Sequence, residues 1–256
     1  MRTRKLDKRV TENQKAFERD FGTRYTALRD AIDEQHALTR IYYGFLGASY
    51  LTNHSSAEKP IFSALTKNEL ALYASLSLVR DGLYGVALSQ LRLIYEALMI
   101  AKTCSILKEH PFVEKWISGE TIYFAKGVLG RIQAPPLDEL RKLWPILCEH
   151  SHATVYSIQV ETEYKEIKQH ISGALAVIGM LICCNFHLLN RHFITPSMIY
   201  LGKRYLGKEE FINKRNKAKS ATEELKKFLS FPAKKLVREY AASWQIDSTW
   251  LTIHSS

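Results

Sequence analysis

Twenty consecutive residues from Ile171 to Asn190, ISGALAVIGMLICCNFHLLN, contain no Lys, Arg, Asp or Glu. A helix of this composition is apolar on every side and must be surrounded, either by other helices at the centre of a bundle or by lipid. The stretch also holds Asn185, His187 and several small residues, and a long soluble bundle needs one such helix, so a buried central helix is the expectation. Elsewhere apolar residues recur at helical spacing, and no segment alternates as a half-buried strand would. The chain is therefore expected to be all-α, a helical bundle with a long N-terminal helix, a basic C-terminal helical extension and no membrane span.

The 256 residues are enough for one substantial core, with three parts expected: an N-terminal helical arm over 1–60, a bundle over 61–195 and a basic helical extension over 196–256. The first helix is predicted from Leu6 to Arg40, continuing toward Tyr50, with a loop over 53–60. Thr66 and Glu69 have the spacing of a capping box for a helix ending at Arg80, and Asp81-Gly82 breaks it. Further helices are predicted over Leu83–Lys108, Phe112–Gly127, a segment starting at Asp138 that Pro145 must bend or interrupt, and Glu161–Arg191. A shorter helical region opens at Pro196. Ser220 and Glu223 are read as capping a terminal helix that Pro232 divides.

The net charge of +10 is concentrated at the ends. Lys203 to Arg238 carries twelve basic residues against four acidic, Met1 to Arg19 seven against three, and the body between them is neutral. Such a segment can track phosphate or keep the surface solvated. Lys203, Arg204, Lys214, Arg215, Lys217 and Lys219 are the candidate contacts to RNA. Phe211, Phe228 and Phe231 are interleaved with these cations; they could stack on bases, although core packing is the commoner use of that spacing. The four cysteines form no C-x-x-C pair, and the basic N-terminus lacks an apolar core, so the expectation is a reducing, cytoplasmic setting without a metal site or cofactor.

Between Gly82 and Ala101 the only charges are Arg92 and Glu96, four residues apart on one face of an apolar helix. Buried charges need partners from elsewhere, and Glu149, His150, Ser151 and His152, closing the segment LWPILCEHSHAT, are the candidates, with Arg92 meeting Glu149 and Glu96 meeting His152. A structural polar tie between helices explains the same residues. Glu149-x-x-His152 also has the spacing of carboxylate-bridged metal bundles, but no second E-x-x-H completes such a site.

The pairing of LRLIYEALMIAK with LRKLWPILCEHSHAT about fifty residues later resembles the HEPN-like helical proteins of bacterial abortive-infection and related defence loci, over roughly Leu70 to Leu189. The resemblance implies a dimeric protein acting in defence or stress biology through RNA, either a metal-independent ribonuclease toxin or a catalytically silent sensor or interaction module, with an antitoxin or another defence-system protein as a possible partner. HEPN ribonucleases use an Arg, a polar residue and a His in an R-x(4–6)-H motif. No arginine stands at that distance before His150 or His152; the one formal match lies in RDAIDEQH, with Arg29, Asp30 and His36 as a second candidate set.

Overall fold

The computed structural model describes residues 2–53, 58–107, 111–130, 138–151, 167–192 and 207–243. The described chain is helical, without strands: α1 (Arg2–Asn53), α2 (Glu58–Arg80), α3 (Tyr84–Leu107), α4 (Pro111–Ile117), a π-helical turn (Phe124–Leu129), α5 (Asp138–Ser151), α6 (Ile167–His192), α7 (Lys208–Lys227) and α8 (Phe231–Ser243).

The charge-free helix α6 stands at the centre and packs against α1, α2, α3, α7 and α8. Of its most apolar 18-residue window, 72% is buried by these neighbours, so among the described residues the one helix long and apolar enough to cross a membrane is mostly covered by protein. One core runs across the expected part boundaries, taking Phe17, Leu28 and Leu38 from α1, Leu91 and Leu98 from α3, and Phe211 and Leu225 from α7. At Gly179 a Cβ would lie 2.8 Å from Leu229 and 3.3 Å from Leu28, so a glycine there lets both neighbours approach α6 closely.

Two turns are set by glycines in the left-handed region. After α2, Gly82 at φ 86° closes the helix, with its N–H on the Val79 carbonyl at 3.1 Å and the Leu83 N–H on the Leu78 carbonyl at 2.8 Å. Gln14 of α1 donates to Asp81 at 2.8 Å, and a Cβ on Gly82 would fall 2.4 Å from the Asn13 amide, so α1 lies directly over this turn. The second, Gly119 at φ 78°, ends α4 by the same pattern. It replaces the single helix expected over Phe112–Gly127 with a short helix, a turn and a π-helical turn.

Two expected helix starts are corrected. The loop placed at 53–60 already contains the beginning of α2, whose first turn includes Pro60, where the missing donor costs little. Thr66 is thus interior: its hydroxyl donates back to the Phe62 and Ser63 carbonyls, both at 3.2 Å, and Glu69 points into the core. Ser220 is likewise interior to α7, because the buried stripe Phe211, Ala218, Thr222, Leu225 runs past it without interruption. Glu223 pairs with Lys226 at 2.6 Å. Pro145 sits inside a continuous α5, exposed on its outer side, and does not interrupt it. The break before Pro232 is present, with α8 starting at Phe231. The region opened by Pro196 lies outside the described residues.

Candidate functional site

Two polar clusters contain the residues singled out by sequence. In the first, Arg92 donates through Nε to Glu96 Oε1 at 2.8 Å, along one face of α3. The contact from α5 comes from Trp144, whose indole N–H donates to the same carboxylate oxygen at 2.9 Å. The Arg92 guanidinium lies 5.8 Å from the centre of the Trp144 ring, a cation–π distance. Trp144 packs at 5.6 Å on Phe124, which meets Tyr95 edge-on at 6.0 Å, and the Tyr95 hydroxyl donates to the Leu140 carbonyl at 2.7 Å. The bond to Glu96 raises the Arg92 pKa, so the guanidinium stays charged.

Arg92 and Glu96 are 24% and 18% exposed, so the pair is sheltered but reachable from solvent. Beside it, Arg141, Lys142, Trp144 and Pro145 of α5 and Ala125 and Leu129 of the π-helical turn border an open groove of about 550 Å³. Glu149 is on the exposed side of α5, and His150 and Ser151 occupy its last turn. His152 lies outside the described residues, so its expected pairing with Glu96 does too. Trp144, roughly a turn before that polar segment, thus ties α5 to α3 beside the bond from Tyr95 to Leu140.

The second cluster contains His36. Its Nδ1 lies 3.0 Å from Oε2 of Glu69, a carboxylate on α2 that is only 3% exposed, and Thr39 donates its hydroxyl to the other oxygen, Oε1. When Glu69 is ionised it only accepts, and the imidazole proton then sits on Nδ1 with Nε2 as the basic nitrogen. The ring itself is 47% exposed. Arg29, Asp33, His36 and Arg40 follow one another along one face of α1, at the i, i+4, i+7 and i+11 positions. Arg29 pairs with Asp33 at 3.7 Å; Asp30, the polar residue of the motif, is exposed beside them.

Burial pushes the Glu69 carboxyl upward, against the opposing pull of its bonds to Thr39 and His36. A carboxyl raised in the folded state holds its proton more tightly than in the unfolded chain. Its contribution to stability is then fully present below the ordinary Glu pKa and lost as pH rises through the folded value. Glu69→Gln should accordingly flatten this part of the pH dependence, raising Tm relative to wild type more at pH 8 than at pH 4. Thermal melts of both proteins across that range check it, and parallel curves would contradict it.

Glu69, Thr39 and Trp144 were not among the sequence candidates. Thr66-x-x-Glu69 matches a local capping pattern, while the partner that draws Glu69 inward is thirty-three residues away in sequence. Of the expected RNA contacts, Lys217 and Lys219 are exposed on α7, Lys214 and Arg215 are half-buried, and Lys203 and Arg204 lie outside the described residues. Cys104 and Cys183 are buried, and that burial pushes each thiol up to about 12, far from a nucleophilic thiolate. No protein-family model, curated protein or solved structure matches this chain.

Proposed function

We propose that this is a HEPN-like, RNA-acting protein of bacterial defence or stress biology, with His36 as its reactive group. The observation that carries this reading is a half-exposed imidazole anchored through Nδ1 to a buried carboxylate that a threonine hydroxyl also holds. In the proposed reaction Nε2 of His36 takes the proton of a ribose 2′-hydroxyl, which attacks the adjacent phosphorus and expels the 5′-oxygen of the next nucleotide. The protonated imidazole can then return that proton to the leaving oxygen. Arg29 and Arg40, on the same face of α1, are the cations available to a phosphate there. No metal enters this scheme.

A dimer of cytoplasmic chains belongs to the same proposal. The free thiols suit a reducing compartment, and Leu70 and Tyr73 of α2 with Val86 and Leu93 of α3, all exposed, offer an apolar surface to a second copy or to an antitoxin-like partner.

The catalytically silent module is the second reading. It is favoured by the closure of Arg92 and Glu96 on each other and on Trp144, which explains those charges as a tie between α3 and α5.

The RNA reading is tested by filter binding of a single-stranded RNA at several ionic strengths. Affinity should fall by about 0.7 log units per tenfold salt for each phosphate neutralised, and the triple variant Lys214→Glu, Arg215→Glu, Lys217→Glu should weaken binding for all sequences alike with its helix content unchanged. A wild-type protein with no RNA affinity at low salt would remove the reading.

A further inference from the structure

The far end of α7, α8 and the C-terminal part of α6 line an open pocket of about 680 Å³, well within the ~300–1,000 Å³ range of small-molecule sites. None of its lining residues belongs to the clusters around His36 or Arg92. Its apolar lining comes from Leu229, Phe231, Val237 and Ala241, and its cations are Lys226, Lys227, Lys234 and Arg238, against the single acid Glu223. Glu223 is taken by Lys226 at 2.6 Å, and Lys227 is paired with Glu224 outside the lining. Lys234 is in no ion pair among the described residues.

Phe231 is 73% exposed, an unusual position for a large aromatic, and the Arg238 guanidinium stands 6.0 Å from its ring centre. His187 of α6 is half-buried in the lining and hydrogen-bonds to no described residue. Burial first, then the neighbouring Lys226, pushes its pKa below the usual value, which leaves a neutral ring with one donor and one acceptor nitrogen.

We propose that this cavity binds one nucleotide unit, its base against Phe231 and its phosphate between Lys234 and Arg238, with His187 facing a polar edge of the base. An exposed aromatic beside unneutralised cations is the combination by which single-stranded nucleic acids are held, the ring taking the π-face of a base and the cations the backbone. An acyl anion would use the apolar wall and the cations but would leave His187 without a partner. The same chemistry can be supplied by a free mononucleotide or by one nucleotide of an RNA strand. The site does not depend on whether His36 is reactive.

The test is isothermal titration of the full chain with adenosine monophosphate, guanosine monophosphate, inorganic phosphate, adenosine and a medium-chain fatty acid, followed by competition between the better nucleotide and a short single-stranded RNA. A nucleotide should bind more tightly than phosphate or adenosine. Phe231→Ala, at an exposed position, should weaken it about tenfold, the size of one stacked base, while leaving phosphate binding unchanged. Lys234→Glu with Arg238→Glu should abolish both, with circular dichroism reporting an intact fold. Competition with RNA assigns the site to a strand; its absence assigns the site to a free nucleotide. Absence of nucleotide binding at low salt, nucleotide binding indifferent to both variants, or a fatty acid that binds and is not displaced by nucleotide would each overturn the proposal. The salt-dependent RNA titration with the α7 triple variant reads a different surface, so either result can fail without the other.

Discussion

Asn185→Leu is expected to destabilise the bundle by about 2–4 kcal/mol, since each buried polar group left without a partner costs roughly 1–3 kcal/mol. Asn185 is fully buried on α6; it donates to Gln35 of α1 and accepts from Asn68 of α2, both at 3.4 Å. Gln35 in turn donates to the Ile182 carbonyl at 3.2 Å and to Thr222 of α7 at 3.3 Å. One polar layer thus joins α1, α2, α6 and α7 inside an otherwise apolar core. Leucine keeps most of the volume but strands the Asn68 amide and the Gln35 carbonyl. At roughly 2–4 °C per kcal/mol for a chain of this size, Tm should fall by about 5–15 °C. Urea titrations should show a lower midpoint at unchanged slope. Adding Asn68→Leu should recover part of the loss, because one stranded donor is removed with it, and strictly additive effects would argue that the layer is not coupled.

The second large effect concerns RNA. If His36 moves the 2′-hydroxyl proton, His36→Ala should slow cleavage about 10²–10⁴-fold, the usual worth of a positioned general base. RNA affinity should stay within a few-fold, because the α7 cations are untouched. Glu69→Gln separates positioning from packing: an amide keeps the shape but no longer stabilises a protonated imidazole, so the cleavage rate should fall while Tm at pH 8 rises. A purely structural His36–Glu69 contact would give the stability change alone.

The sequence carried the outline of this fold wherever a single helix decides its own environment. The charge-free run in α6 had to be surrounded, by helices or by lipid, and Asp81-Gly82 reads as a break, to which the proximity of α1 adds a second reason for glycine. It also placed Arg92 and Glu96 on one face, since four residues make a turn whatever surrounds them. Local patterns misled where a distant helix outbid them. Thr66 and Glu69 have capping spacing, yet α1 supplies Thr39 and His36 and draws the carboxylate inward. Ser220 and Glu223 repeat that spacing on a helix whose apolar stripe never stops. Trp144 reads as one more aromatic until α3 presents Glu96 to its N–H. The cavity beside His187 joins that residue to others more than thirty positions further along the chain, and no short window contains it.

The most direct test of the central claim is incubation of a 5′-labelled single-stranded RNA with wild-type protein and with His36→Ala, in EDTA, with the products resolved by length and by end group. The proposed chemistry predicts fragments ending in a 2′,3′-cyclic phosphate from wild type and their loss in the variant. Intact RNA from wild-type protein, or equal cleavage by both, would contradict it.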